Sequence, residues 1–263
     1  HFITPTDEGL MAEIDQVAWH QEEPFGSASI YVQYCVMKLA KEHGVTVLLD
    51  GQGADEILAG YHPYYSIYFN ELQKAGKTDL YTKELKDYRE HHAGSIINES
   101  VINGWKNRVK RFLPENRALL RKMLERYNNI RNPFFNSEFF NEYFPESYAP
   151  KYHWEGLNHT LYSSSMHKGL QELLRYADRN SMAHSREVRL PFLNHDLVEF
   201  LFTLPSDFKI RDGWTKWIMR TSFDHILPPE ITWRKDKIGY EPPQRDWMSN
   251  PAVQNKIETS RDL

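Results

Sequence analysis

Residues 45–56, VTVLLDGQGADE, constrain the fold of this chain more than any other stretch. Val45–Leu49 is rich in Val and Leu and lacks polar alternation, which suits a strand buried on both faces of a parallel sheet. Asp50, Gly51, Gln52 and Gly53 then form a tight turn, and Asp55 and Glu56 open a helical pattern. Upstream, a helix is predicted over 27–43, entered at Ser27 with Ile30, Tyr34, Met37 and Leu39 roughly in phase, and stopped by Gly44. Helix, glycine, buried strand, glycine turn, helix is the order of a doubly wound α/β unit.

The remaining 263-residue chain is organised around that unit. Its length allows one large domain or two small ones. A helix is predicted over 6–20, capped by Thr6 or Asp7. The periodicity predicts helices almost throughout 66–131, with breaks at Gly76, Gly94, Gly104 and Pro114. Residues 132–157 are rich in Pro, Asn, Phe and Tyr and read as an irregular connection. Helices are predicted again over 159–176, 194–203, 213–225 and near 244–249. Only one strand is convincing, so its partners are expected outside the chain or among stretches that do not announce themselves. The apolar runs are far shorter than the roughly 20 residues of a membrane helix, and no signal-peptide pattern opens the chain. The lone Cys35 reads as a core thiol, so a cytoplasmic setting is expected. The start at His1-Phe2, without methionine, reads as a segment of a longer protein.

Four stretches are candidates for chemistry, and each has a plainer reading. In the 50–56 turn, Gly51 and Gly53 allow a sharp bend and close ligand approach, while the helix start favours an anion. Asp50, Asp55 and Glu56 add negative charge there, which implies a bridging hard cation such as Mg²⁺; the alternative is a capped strand-to-helix turn. In 173–205, Asp178, Arg179, Arg186, Glu187 and Arg189 lie among apolar residues, as a buried ion-pair network or as Arg recognition of carboxylate or phosphate. In 233–248, Arg234, Lys235 and Lys237 precede Gly239 and Pro242-Pro243, as a rigid cationic loop over phosphate or a solvated basic turn. Residues 106–131 hold nine basic residues against two acids, on amphipathic helices whose charge is either a solvated or docking face or a nucleic-acid surface. The overall charge of −4 gives no global nucleic-acid signal, and no zinc, Walker or dinucleotide motif is present.

Three blocks, LLDGQGADEILAGY, DRNSMAHSREVRLPFLNHDLVEFLFTLP, and Arg234, Lys237, Gly239, Tyr240, Pro243 and Trp247, together resemble the synthetase domain of glutamine-dependent asparagine synthetases. The resemblance covers essentially the whole chain. It implies an adenine nucleotide α-hydrolase-like α/β fold, with 1–65 a remnant of the nucleotide-binding core, 66–157 a helical insertion and 158–263 a C-terminal helical part carrying active-site loops. It also implies adenylation of a carboxylate by ATP with Mg²⁺, amidation by ammonia from glutamine, a partner glutaminase domain in the parent chain, no nucleic acid or membrane partner, and a possible homodimer. On this resemblance Asp50, Gly51, Gln52, Gly53 and Glu56 border the nucleotide, Asp55 binds Mg²⁺ on the pyrophosphate, and Lys237 stabilises charge on the α-phosphate. Glu187 positions or deprotonates the second substrate, and Asp178, Arg179 and Arg189 bind substrate or brace the wall. Three departures stand out: the Ser-Gly-Gly-x-Asp-Ser phosphate loop and the glutaminase Cys are absent from these residues, Gln52 replaces a frequent Glu, and Asp50 replaces a Ser. The isolated segment is expected to be inactive. Gln52 leaves open an acceptor other than aspartate, such as a sugar acid, or a non-catalytic interaction module.

Overall fold

The computed structural model describes residues 1–92, 156–235, 239 and 241–261. The basic stretch 106–131, Lys237 and Tyr240 lie outside these described residues.

Helix α1 (Asp7–Gln21) starts where Thr6 caps it, its hydroxyl accepting from Gly9 N at 3.2 Å, with Asp7 and Glu8 in the first turn. Helix α2 (Ser29–Glu42) ends before Gly44, whose φ of +70° lets the chain reverse into β1 (Val47–Leu49). After α3 (Ala54–Ile57) come α4 (Pro63–Lys74) and α5 (Thr78–His91), separated by Gly76 at φ +70°. Helices α6 (Leu157–Met166) and α7 (Leu170–Ala183) lead to β2 (Glu187–Arg189). Then follow α8 (His195–Thr203), the hairpin β3 (Ile210–Arg211) and β4 (Trp214–Thr215), α9 (Trp217–Phe223), α10 (Pro229–Thr232), α11 (Gln244–Ser249) and α12 (Pro251–Arg261).

The strand partner that the sequence hid is EVR at 187–189. It pairs with β1 in parallel, Val47 opposite Glu187, Leu48 opposite Val188 and Leu49 opposite Arg189. The ladder continues through Glu187 N to Thr46 O and Asp50 N to Arg189 O, both 2.9 Å. Three residues with two charges carry no apolar signature, so only the neighbouring strand identifies them. The burial expected for β1 is corrected as well: Val47 is 38% and Leu49 75% exposed, because among the described residues the sheet has two strands and does not cover both faces of β1. The hairpin at 210–215 replaces the start of a helix predicted from 213, and the long helix predicted over 159–176 breaks at His167–Gly169.

Two of the three hydrophobic cores among the described residues hold the larger elements. Tyr64, Tyr65, Tyr68 and Phe69 of α4 meet Tyr88 of α5, Leu157 and Leu161 of α6, and Ile210 of β3. The other core joins α1, α2, α7 and Trp247. At its centre Asn180, fully buried, donates to Ile30 O (3.0 Å) and Gln33 Oε1 (2.9 Å) and accepts from Gln21 Nε2 (2.8 Å). A buried amide satisfied by two neighbouring helices fixes their register, since any slip would strand polar atoms in the interior.

Candidate active site

Both parallel strands end at the same place. Leaving β1, the chain turns through Asp50–Gly53; leaving β2, it turns through a short 3₁₀ helix at Pro191–Leu193. The turns meet at Gly53, which sits at φ +90° with the Leu193 side chain against it; a Cβ there would overlap Leu193, lying 2.8 Å from its Cγ. Gly53 is thus needed for packing between the two strand exits. Gly51 is the glycine that faces open space, with nothing within 4 Å of a Cβ. The carboxyl ends of parallel strands are where open α/β sheets receive ligands.

The helix expected to aim its dipole at the loop is one turn, Ala54–Ile57, so its influence is that of a few amides. Its two acids part company. Glu56 is buried and accepts from the Tyr61 hydroxyl at 2.6 Å, and burial with this bond pushes the Tyr61 phenol well up. Asp55 is half-buried, and its Oδ1 lies 2.8 Å from Lys216 Nζ. Gly60 lets this pair form: a Cβ there would overlap Asp55 Oδ1 and come within 2.5 Å of Lys216 Cε.

Lys216 follows β4 at φ +55°, held by its own N–H to Leu58 O at 3.1 Å. Asp55 and Lys216 stand in the wall of a cleft of about 1010 Å³. Arg220, Arg234 and Lys235 line the same cleft, with Phe192, Trp214, Met219 and Phe223 as apolar wall and His62, Tyr65 and His92 on the side of α4 and α5. Arg220 is committed to the scaffold: it donates to Thr215 O at 2.8 Å and to Thr232 O, and lies over the Trp214 ring. It thereby ties the hairpin to α10, which leads into Arg234 and Lys235. Burial pushes the His92 imidazole down to about 4 and His62 down as well, so both are neutral walls at pH 7. Cations therefore outnumber anions among the described lining residues, and such a wall suits a polyphosphate.

The other sequence candidates fall in three places. Gln52 is half-buried, and its Oε1 is buried without a hydrogen-bond partner among the described residues. Glu187 and Arg189 pair with each other at 2.7 Å on the exposed side of β2, not in a buried network. Arg179 donates to Gln21 O and to Glu22 Oε2 (3.1 Å), bracing α7 against the end of α1, while Asp178 is exposed. Sequence reasoning passed over Lys216, Tyr61 and Gly60. The signal for Lys216 is weak but present: one lysine between Thr215 and Trp217 in GWTKWIM, where a strand end meets an apolar helix.

Among the described residues no three His, Cys, Asp or Glu side chains are placed to hold a metal ion. Asp55 alone fits a Mg²⁺ ion that arrives on a phosphate chain, since Mg²⁺ is commonly held by one or two carboxylates together with substrate oxygens and water. None of the helices among the described residues is long and apolar enough to cross a membrane.

The sequence model of the asparagine synthase family matches residues 1–261. Asparagine synthetase [glutamine-hydrolyzing] 1 of Bacillus subtilis (strain 168) is 28% identical over 265 residues, which cover 97% of this chain and 40% of that protein. Asparagine synthetase [glutamine-hydrolyzing] 3 of the same organism is 42% identical over 66 residues, covering 25% of this chain and 11% of that protein. The Gallus gallus asparagine synthetase [glutamine-hydrolyzing] is 36% identical over 99 residues, covering 35% and 17%. The chain thus spans about 40% of the length of the first of these relatives. A match across nearly the whole chain means that this chain belongs to the asparagine synthase family.

Proposed function

We propose that this chain is the synthetase part of an ATP-dependent amide ligase with an adenine nucleotide α-hydrolase-like core. The observation that carries this reading is one cleft, beside the exits of two parallel strands, shared by Asp55 of the first block and Arg234 of the third, with Lys235 next to Arg234 and Lys216 against Asp55. In the reaction a carboxylate oxygen bonds to the α-phosphorus of ATP as pyrophosphate leaves. Ammonia then bonds to the acyl carbon, AMP leaves with the carbon–oxygen electrons, and the nitrogen loses a proton. Asp50, Gly51, Gln52 and Gly53 border the nucleotide. Asp55 would hold a Mg²⁺ ion arriving with the phosphates, with Glu56 positioned through Tyr61, and the ion would supply neutralisation of phosphate charge. Lys216, Lys235 and Lys237 meet the negative charge that develops as pyrophosphate departs. Glu187 orients the second substrate, with Arg189 beside it, and Arg179 and Asp178 brace the wall.

Aspartate is the acceptor by family default, and glutamine hydrolysed by a glutaminase domain in the parent chain supplies the nitrogen. Gln52 favours a second acceptor class: among the described residues its amide oxygen has no partner, and a neutral amide can accept from a hydroxyl, as a sugar acid would offer. The full-length parent is tested with Mg-ATP, glutamine and a panel of amino and sugar acids, reading pyrophosphate and amide. Release dependent on one acid supports the ligase and names its acceptor; no release with any acid overturns it in favour of a non-catalytic interaction module.

A further inference from the structure

The Lys216 arm is held from behind by α5, a helix that lies outside all three blocks in sequence. Glu84 of α5 is 1% exposed, and its two carboxylate oxygens accept from consecutive backbone amides, Oε1 from Asp212 N at 3.0 Å and Oε2 from Gly213 N at 3.1 Å. Those amides form the turn of the β3–β4 hairpin, and Lys216 is the first residue beyond it. The turn is seated on the helix itself: Gly213, at φ +73°, lies where a Cβ would come 2.5 Å from Asp87 C and 2.6 Å from Tyr88 N. Its carbonyl accepts from Tyr65 Oη at 2.8 Å, with His92 Nε2 at 3.2 Å. Lys83 pairs with Asp212 at the rim. Both polar groups of Gly213 are thus satisfied by α4 and α5, and the buried Glu84 carboxyl is held by two oriented amides.

We propose that Glu84 is a positioning residue for the amide-forming reaction, holding the hairpin so that Lys216 meets Asp55 and the phosphates in the cleft. The assignment rests on the ligase reading above and extends it to a residue outside every matching block. The hairpin has two-residue strands and little ladder of its own, so its turn takes its position from these contacts. Displacing a catalytic cation by about 1 Å lowers rate by up to roughly a hundredfold without abolishing binding.

The test is a double-mutant cycle in the full-length parent, reading kcat and KM by pyrophosphate release for Glu84→Gln, Lys216→Ala and the pair, together with hydrogen exchange at the Asp212 and Gly213 amides. Glu84→Gln is expected to lower kcat roughly tenfold to a hundredfold with little change in the KM for ATP, and to speed exchange at both amides. The pair is expected to be no slower than Lys216→Ala alone, because one effect acts through the other. Glu71→Gln, which removes a carboxylate that accepts from Leu157 N and not from the hairpin turn, should leave kcat unchanged. Additive losses, an unchanged kcat or unchanged exchange in Glu84→Gln overturn the proposal while leaving the ligase reading intact. A Lys216→Ala variant with full activity overturns the cleft reading and this proposal with it. Should Glu84→Gln fail to fold, Tyr65→Phe, which deletes one hydroxyl bond to Gly213, takes its place in the cycle with the same outcomes.

Discussion

Lys216 Nζ lies 2.8 Å from Asp55 Oδ1, although the two residues are 161 positions apart and each side chain is 23% exposed. The contact exists because Gly60 has no side chain and because the αL backbone at Lys216 turns the chain from β4 into α9. Lys216→Ala is expected to lower pyrophosphate release about a hundredfold, the scale of losing one preorganised charge partner. Gly60→Ala should produce a similar loss by pushing the pair apart. Rates of the two variants and of the unmodified full-length protein, measured side by side, check both.

The contact between Gly53 and Leu193 predicts a stability effect at the strand exits. Gly53→Ala adds a methyl where Leu193 already sits and forces φ +90° on a residue with a Cβ, so about 1–3 kcal/mol of destabilisation is expected. Leu193→Ala in the same chain should recover the steric part but not the backbone part. Thermal melts of the single and double variants separate these terms; full recovery would show that the backbone conformation costs nothing.

Arg179 belongs to the fold rather than to the reacting groups, since its guanidinium is spent on Gln21 O and Glu22 at the end of α1. Arg179→Ala is expected to cost about 1–2 kcal/mol in stability, the scale of a charge-assisted bond to a carbonyl. Its kcat/KM should change by less than about threefold below the melting temperature, because stability losses away from the reacting groups do not alter transition-state binding. A large fall in kcat/KM in a well-folded variant would return Arg179 to the substrate site.

The His92 imidazole gives the fold an acid-sensitive limb. Burial among His62, His91 and the Lys235 charge holds it down to about 4, against an ordinary value of 6.5. Between those values the unfolded chain takes up a proton that the folded chain refuses. Stability is therefore full above pH 6.5 and declines as pH falls toward 4, by on the order of 2 kcal/mol. Glu84 works in the opposite sense, since burial raises its carboxyl and favours the protonated form in the fold. Comparing urea melts of His92→Gln with the unmodified protein across pH 4–7 isolates the histidine contribution; parallel profiles would rule it out.

Much of the helical scaffold was legible because its signals are local. Thr6 caps α1, Gly44 and Gly76 end helices where φ turns positive, and a Val-Leu run before Asp50-Gly51 marks a strand exit; each depends on residues within one or two turns. The family blocks were equally local. By contrast β2 was illegible, because EVR has the charge of a surface loop and becomes a strand only through its ladder to β1. The hairpin at 210–215 is two residues on each side, too short for any alternation to show, and is held by Glu84 and Tyr65 from a distant helix.

The sequence by itself determined where the chain turns, which loop follows β1, and that Asp55 stands beside it. Those properties follow from backbone preference and from burial within a single element. Only the tertiary structure decided which carboxylate of the loop faces the cleft and which is spent on Tyr61, and that the cation opposite Asp55 is Lys216. Those choices depend on packing between segments remote in sequence, where a missing methyl at Gly60 and two amides on Glu84 set positions that no local pattern records.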